Sequence, residues 1–139
     1  MNEYRWSDIH VGLRHDFEVR LTEDMLPAFS ALSGDVNPLH VDPAFALERG
    51  YRGVVAFGLL TSSFYSRLVG VELPGRNALL HGVDVEFVSP AFIGDVLRVS
   101  GEVVQLVDAY HRIEMRGRIV NQDGKTISRA KIHVGLHVA

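Results

Sequence analysis

The stretch Phe57–Val69 constrains this chain more than any other. It opens Phe57-Gly-Leu-Leu-Thr-Ser-Ser-Phe-Tyr-Ser66, apolar or small at every position. Its length and texture predict a helix. A helix with so little polar face is stable only when most of its surface is covered. The rest of the chain must therefore supply the cover.

The cover is legible downstream. Val83, Val85 and Phe87 alternate with Asp84 and Glu86. Ile113, Met115 and Ile119 share one face with Gly117. Ala130, Ile132, Val134 and Leu136 alternate with Arg129, Lys131 and His133. A period of two predicts strands half-buried against a core. Leu97–Val107 supplies a further strand, and Asp123-Gly124 between two such runs predicts a hairpin turn. Upstream, a strand is expected near His15–Leu21. A helix should follow, with Thr22 as N-cap, Glu23 and Asp24 in its first turn, Met25, Leu26, Phe29 and Leu32 at helical spacing, and Gly34 at its stop. Pro43 opens a short helix through Leu47, ended by Gly50. Together these predict an α+β fold, a meandering antiparallel sheet wrapped around one long central helix, in a single domain over residues 1–139.

Composition excludes several functions. Hydrophobic residues make up 47% of the 139, enough for a real core. With 14 basic against 17 acidic residues there is no cationic excess for nucleic acid. The absence of cysteine removes disulfides, thiolate nucleophiles and cysteine-based metal sites. The opening MNEYRWSDIH has no signal-peptide pattern, and no apolar run reaches the roughly 20 residues of a membrane helix. The expectation is a cytoplasmic protein without a membrane partner.

Chemistry concentrates in Phe29-Ser-Ala-Leu-Ser-Gly-Asp-Val-Asn-Pro-Leu-His40. Asn37-Pro38 is expected to turn the chain, because the residue before proline avoids the helical region. The turn can bring Asp35 and His40 side by side on a loop. A carboxylate and an imidazole can hold one water, one taking its proton and the other giving a proton to substrate. The same Asp-x-Asn-Pro is also a good turn sequence in its own right, with Asp35 as an ordinary turn acceptor. Elsewhere, His133 and His137 are four apart but lack a third metal ligand, so no metal site is expected. His81 and His111 are isolated. Arg49, Arg52 and Arg76 lie in or near loops, where cations could meet phosphates or serve as plain surface charge.

The segment resembles the hydratase signature of the MaoC-like family, which includes the (R)-specific enoyl-CoA hydratases. Phe29, Leu32, Ser33, Gly34, Asp35, Asn37, Pro38, Leu39, His40 and Ala46 fill its fixed positions. The similarity continues through the central helix, Leu73-Pro74-Gly75, and Phe87-Val-Ser-Pro-Ala-Phe-Ile-Gly-Asp95. The resemblance implies a hot-dog fold, commonly as a homodimer with sheets joined edge to edge. It implies reversible hydration of trans-2-enoyl thioesters, with Asp35 activating water and His40 assisting proton transfer. The Gly58 backbone amide would hold the thioester oxygen, with Asn37 and Ser66 in support. The substrate would be an acyl-CoA or acyl-carrier thioester, coenzyme A entering as part of it and no separate cofactor being required. Relatives often carry His or another polar residue where this chain has Phe57, so Phe57 is expected to shape the acyl pocket, and Arg76 to contact substrate phosphate. Two other functions fit such a fold: thioester hydrolysis, and non-catalytic binding of acyl thioesters.

Overall fold

The computed structural model describes residues 1–137. Five strands form one antiparallel sheet in the order β1-β3-β4-β5-β2: β1 (Arg14–Arg20), β2 (Ala78–Phe87), β3 (Val96–Val107), β4 (Arg112–Val120) and β5 (Thr126–Leu136). Four helices precede β2: α1 (Met25–Ser33), α2 (Pro38–Val41), α3 (Pro43–Glu48) and α4 (Gly58–Arg67). Among the described residues, no helix is long and apolar enough to cross a membrane.

The central helix α4 lies against the inner face of the sheet. Leu60 and Tyr65, with Leu68 and Val69 beyond its end, meet Val99, Val103, Ile113, Met115, Ile119, Ile132 and Val134 in one core. Period two on β4 and β5 is thus the signature of strands with one face on α4. Gly117 sits directly beneath the Tyr65 ring. A Cβ there would lie 2.7 Å from Tyr65 Cε1, so glycine is what lets helix and sheet approach. The Asp123-Gly124 hairpin forms as expected. Gly124 takes φ +76°, and the Asn121 side chain accepts from the Asp123 and Lys125 amides at 3.0 Å each.

The central helix is covered on most sides, with one exposed stripe at Leu59, Ser63 and Ser66. Three expectations need correction. The central helix does not run regularly to Val69; after Arg67 it widens into a π-helical turn, Leu68–Glu72. Thr22 is not the N-cap of α1. Its hydroxyl bonds the Asp24 carboxylate, and Asp24 occupies the cap position without a side-chain bond to the helix. Val83 and Phe87 alternate as read but remain 37% and 53% exposed, because β2 is an edge strand that α4 barely touches.

Candidate active site

The Asp35–His40 segment is more ordered than a loop. Gly34 ends α1 in the left-handed region at φ +78°. The Ser33 hydroxyl donates to the Phe29 carbonyl at 2.7 Å and accepts the Asp35 amide at 3.1 Å. Asp35 Oδ1 accepts the Asn37 amide at 3.0 Å, the turn contact that the sequence allowed. Asn37 then takes an extended conformation, as a residue before proline should. It opens a helix and not just a turn. Its Oδ1 accepts the Leu39 amide at 3.0 Å, capping the single turn α2, and Pro38 fills the first helical position. His40 therefore stands on α2, and Asn37 supports it as that helix's cap.

His40 is fixed by its surroundings. Its Nδ1 lies 2.5 Å from the Val55 carbonyl oxygen, which can only accept, so Nδ1 carries the hydrogen and Nε2 is left for chemistry. The imidazole stacks on Phe57 with centroids 4.2 Å apart. No hydrogen bond or ion pair joins Asp35 to His40 among the described residues; the Asp35 carboxylate meets the Asn37 amide and the His40 ring the Val55 carbonyl.

Both side chains line a cleft of about 420 Å³. Phe29, Val55, Ala56, Phe87, Val88, Pro90 and Ala91 make most of its wall apolar. Gly58, the first residue of α4, also lines it. The opening amides of a helix lack intrahelical acceptors and carry positive potential, so the start of α4 places hydrogen-bond donors at the wall of the cleft. A Cβ at Gly58 would come within 2.8 Å of the Phe87 ring, so only glycine fits there without displacing it.

The other candidates fare unevenly. Phe57 is at the cleft, but it is only 2% exposed and spends its surface on His40 and Phe29. Ser66 is exposed on α4 and does not line the cleft; it lies eight residues from Gly58, about 12 Å along the helix. Arg76 is likewise absent from the cleft. It follows the Leu73-Pro74-Gly75 turn beyond the far end of the helix, its amide bonded to the Asn2 carbonyl at 2.9 Å. Arg52 is committed to Asp95 at 2.9 Å and to the Phe92 ring, and Arg49 lies over Phe45. His133 pairs with Glu114 at 3.3 Å. Tyr51, for which the sequence pattern gives no functional signal, also lines the cleft. It is a lone aromatic between Gly50 and Gly53, and loop residues carry no periodicity to show which way they face.

A sheet wrapped on one helix, with the helix start opening into an apolar cleft beside a carboxylate and an imidazole, defines a hot-dog protein of the hydratase type. The comparisons agree. The family model described as MaoC like domain matches residues 8–124. An (R)-specific enoyl-CoA hydratase of Aeromonas caviae is 34% identical over 118 residues, 85% of this chain and 88% of that protein. A 3-hydroxybutyryl-CoA dehydratase of Methylorubrum extorquens is 29% identical over 79% of this chain and 70% of its own length. The solved structure of an (R)-hydratase from A. caviae involved in PHA biosynthesis superposes with a TM-score of 0.89 at 32% identity, over 93% of this chain and 98% of that one. The chain belongs to the MaoC-like family.

Proposed function

We propose that this protein is a hydro-lyase that reversibly adds water to trans-2-enoyl thioesters, giving the 3-hydroxyacyl thioester of (R) configuration. One observation carries the reading: Asp35, His40 and Gly58, the first residue of α4, line one largely apolar cleft. Water held between Asp35 and His40 attacks C3 while Asp35 takes its proton. Electrons move to the thioester oxygen, where the Gly58 amide and the start of α4 stabilise the enolate. His40 delivers a proton to C2. With Nδ1–H committed to Val55, that proton leaves from Nε2, so His40 enters the step with both ring nitrogens protonated and ends it neutral. Return of the Asp35 proton to His40 through water resets the site. The step balances with these groups alone, so we assign no cofactor, and coenzyme A or an acyl carrier enters as part of the substrate. We further assign a cytoplasmic homodimer whose sheets join along β2, the long edge strand whose Leu79, Val83 and Phe87 are exposed.

The test is absorbance at the enoyl-thioester band with crotonyl-CoA, wild type beside Asp35→Asn. The asparagine keeps the turn acceptor for the Asn37 amide but cannot take a proton. Loss of the band with wild type, and a rate at least ~100-fold lower in the folded variant, is expected. A folded Asp35→Asn protein with a near-normal rate refutes the assignment of Asp35. Release of free thiol in place of hydration moves the function to thioester hydrolysis.

A further inference from the structure

We infer that Phe57 is a positioning residue for His40: its ring holds the imidazole in the one orientation that aims Nε2 into the cleft, in register with the Gly58 amide. This rests on the hydration reading above and deepens it.

His40 starts from a weak foundation. It sits on a helix of four residues whose own hydrogen bonds are few. Its one fixed polar contact, Nδ1–H to the Val55 carbonyl, sets the ring's distance from Val55 but lets the ring rock about that bond. Rocking would sweep Nε2 across the cleft. The Phe57 ring blocks it. The two rings stack with centroids 4.2 Å apart and planes 28° apart.

Phe57 itself has nowhere to go. It is 2% exposed, and it also packs on Phe29 at 4.8 Å. The two residues before it are tied down: the Val55 amide donates to the Leu39 carbonyl at 3.1 Å, and the Ala56 amide to the Ala91 carbonyl at 2.8 Å. So little exposed surface leaves Phe57 scarcely able to recognise an acyl chain, so positioning and not substrate contact is its work.

The placement has a consequence for the reaction. Val55, Phe57 and Gly58 belong to one short tethered segment. The group that sets the His40 tautomer, the ring that sets its plane and the amide that meets the thioester oxygen therefore move together. Proton donor and oxyanion donor keep a fixed spacing, which a reaction sensitive to displacements of about 1 Å requires.

Two variants and one spectrum test this. Phe57→Leu keeps apolar bulk and removes the flat face; Phe57→His keeps a flat ring. With crotonyl-CoA we expect kcat to fall about 10- to 100-fold in Phe57→Leu, with KM within about threefold, and Phe57→His to keep kcat within about fivefold of wild type. NMR of histidine-labelled protein reads the stack without substrate. The His40 ring protons should be shifted upfield in wild type by the Phe57 ring current, and that shift should vanish in Phe57→Leu. Full kcat in Phe57→Leu, equal losses in both variants, or no ring-current shift in wild type would each overturn the inference. If wild type hydrates no enoyl thioester, the hydration reading fails while the NMR result still decides whether Phe57 holds His40.

Discussion

Tyr65 and Ser128 offer a quantitative test of how α4 is tied to the sheet. Both are 0% exposed, and the Tyr65 phenol meets Ser128 Oγ at 2.8 Å inside an otherwise apolar core. Tyr65→Phe keeps the ring over Gly117 and removes only the hydroxyl, leaving Ser128 Oγ buried without that partner. Ser128→Ala does the converse and strands the phenol. Each single change should cost about 1–3 kcal/mol, the penalty for leaving a buried polar group unpaired. The double variant removes both polar atoms and leaves none stranded. It should cost no more than either single, giving a coupling at least as large as the larger single cost, about 1–3 kcal/mol. The assay is urea unfolding at pH 7 and one fixed protein concentration, since the stability of the proposed dimer would depend on concentration. Slopes should be unchanged across the four proteins. A cycle that closes additively within about 0.5 kcal/mol would refute the reasoning, because no mutual dependence would then exist between the two hydroxyls.

The same phenol predicts an alkaline limb. Burial pushes its pKa up to about 12, with the Ser128 bond partly offsetting the rise. In the unfolded chain it ionises near 10. The unfolded state releases its proton first, so this contribution is intact below about pH 10 and is lost towards pH 12, by about 3 kcal/mol; Tyr65→Phe should lack that component in unfolding measured across the range. Asp95, 2% exposed, accepts from Arg52, Gln122 and the Phe92 amide at 2.9–3.0 Å. Asp95→Ala leaves the half-buried Phe92 amide without its acceptor while Arg52 and Gln122 return to water, so urea unfolding should show a loss of about 1–3 kcal/mol. A charge placed mid-edge on β2, Val83→Lys, should move the protein from dimer to monomer in light scattering; a monomeric wild type would refute the edge-to-edge assembly.

Which parts of this could be read from sequence follows from where the determining contacts lie. β4 and β5 were legible because every second residue meets the same partner, α4, and period two records that directly. The stop at Gly34 and the turn at Gly124 were legible because a positive φ demands a particular residue locally. The short helix α2 was misread as part of a loop although its first residue was read correctly. Asn37 is extended before Pro38 in either case, and whether a turn or a helix follows depends on its own side chain, which caps Leu39. The π-helical turn at Leu68–Glu72 leaves no mark in hydropathy at all.

The site divides along the same line. Asp35 and His40 are five residues apart, and local turn chemistry brings them to one cleft. The Val55 carbonyl, the Phe57 ring and Tyr51 reach that cleft only through the tertiary fold, and no spacing announces them. Arg76 and Ser66 were singled out by residue type and by resemblance, and neither consideration says at which end of α4 a side chain will stand. The apolar face of β2 is the informative failure. Alternation identified the face correctly, but a pattern records that a surface is meant to be covered without saying what covers it. One copy of this chain has a single central helix, too short a cover for Val83 and Phe87, and Leu59 of that helix is itself exposed. An apolar edge strand beside an uncovered stripe of the central helix is what a chain leaves open when its core is completed by a second copy, so the residues that the pattern seemed to misplace are those by which the proposed dimer stands or falls.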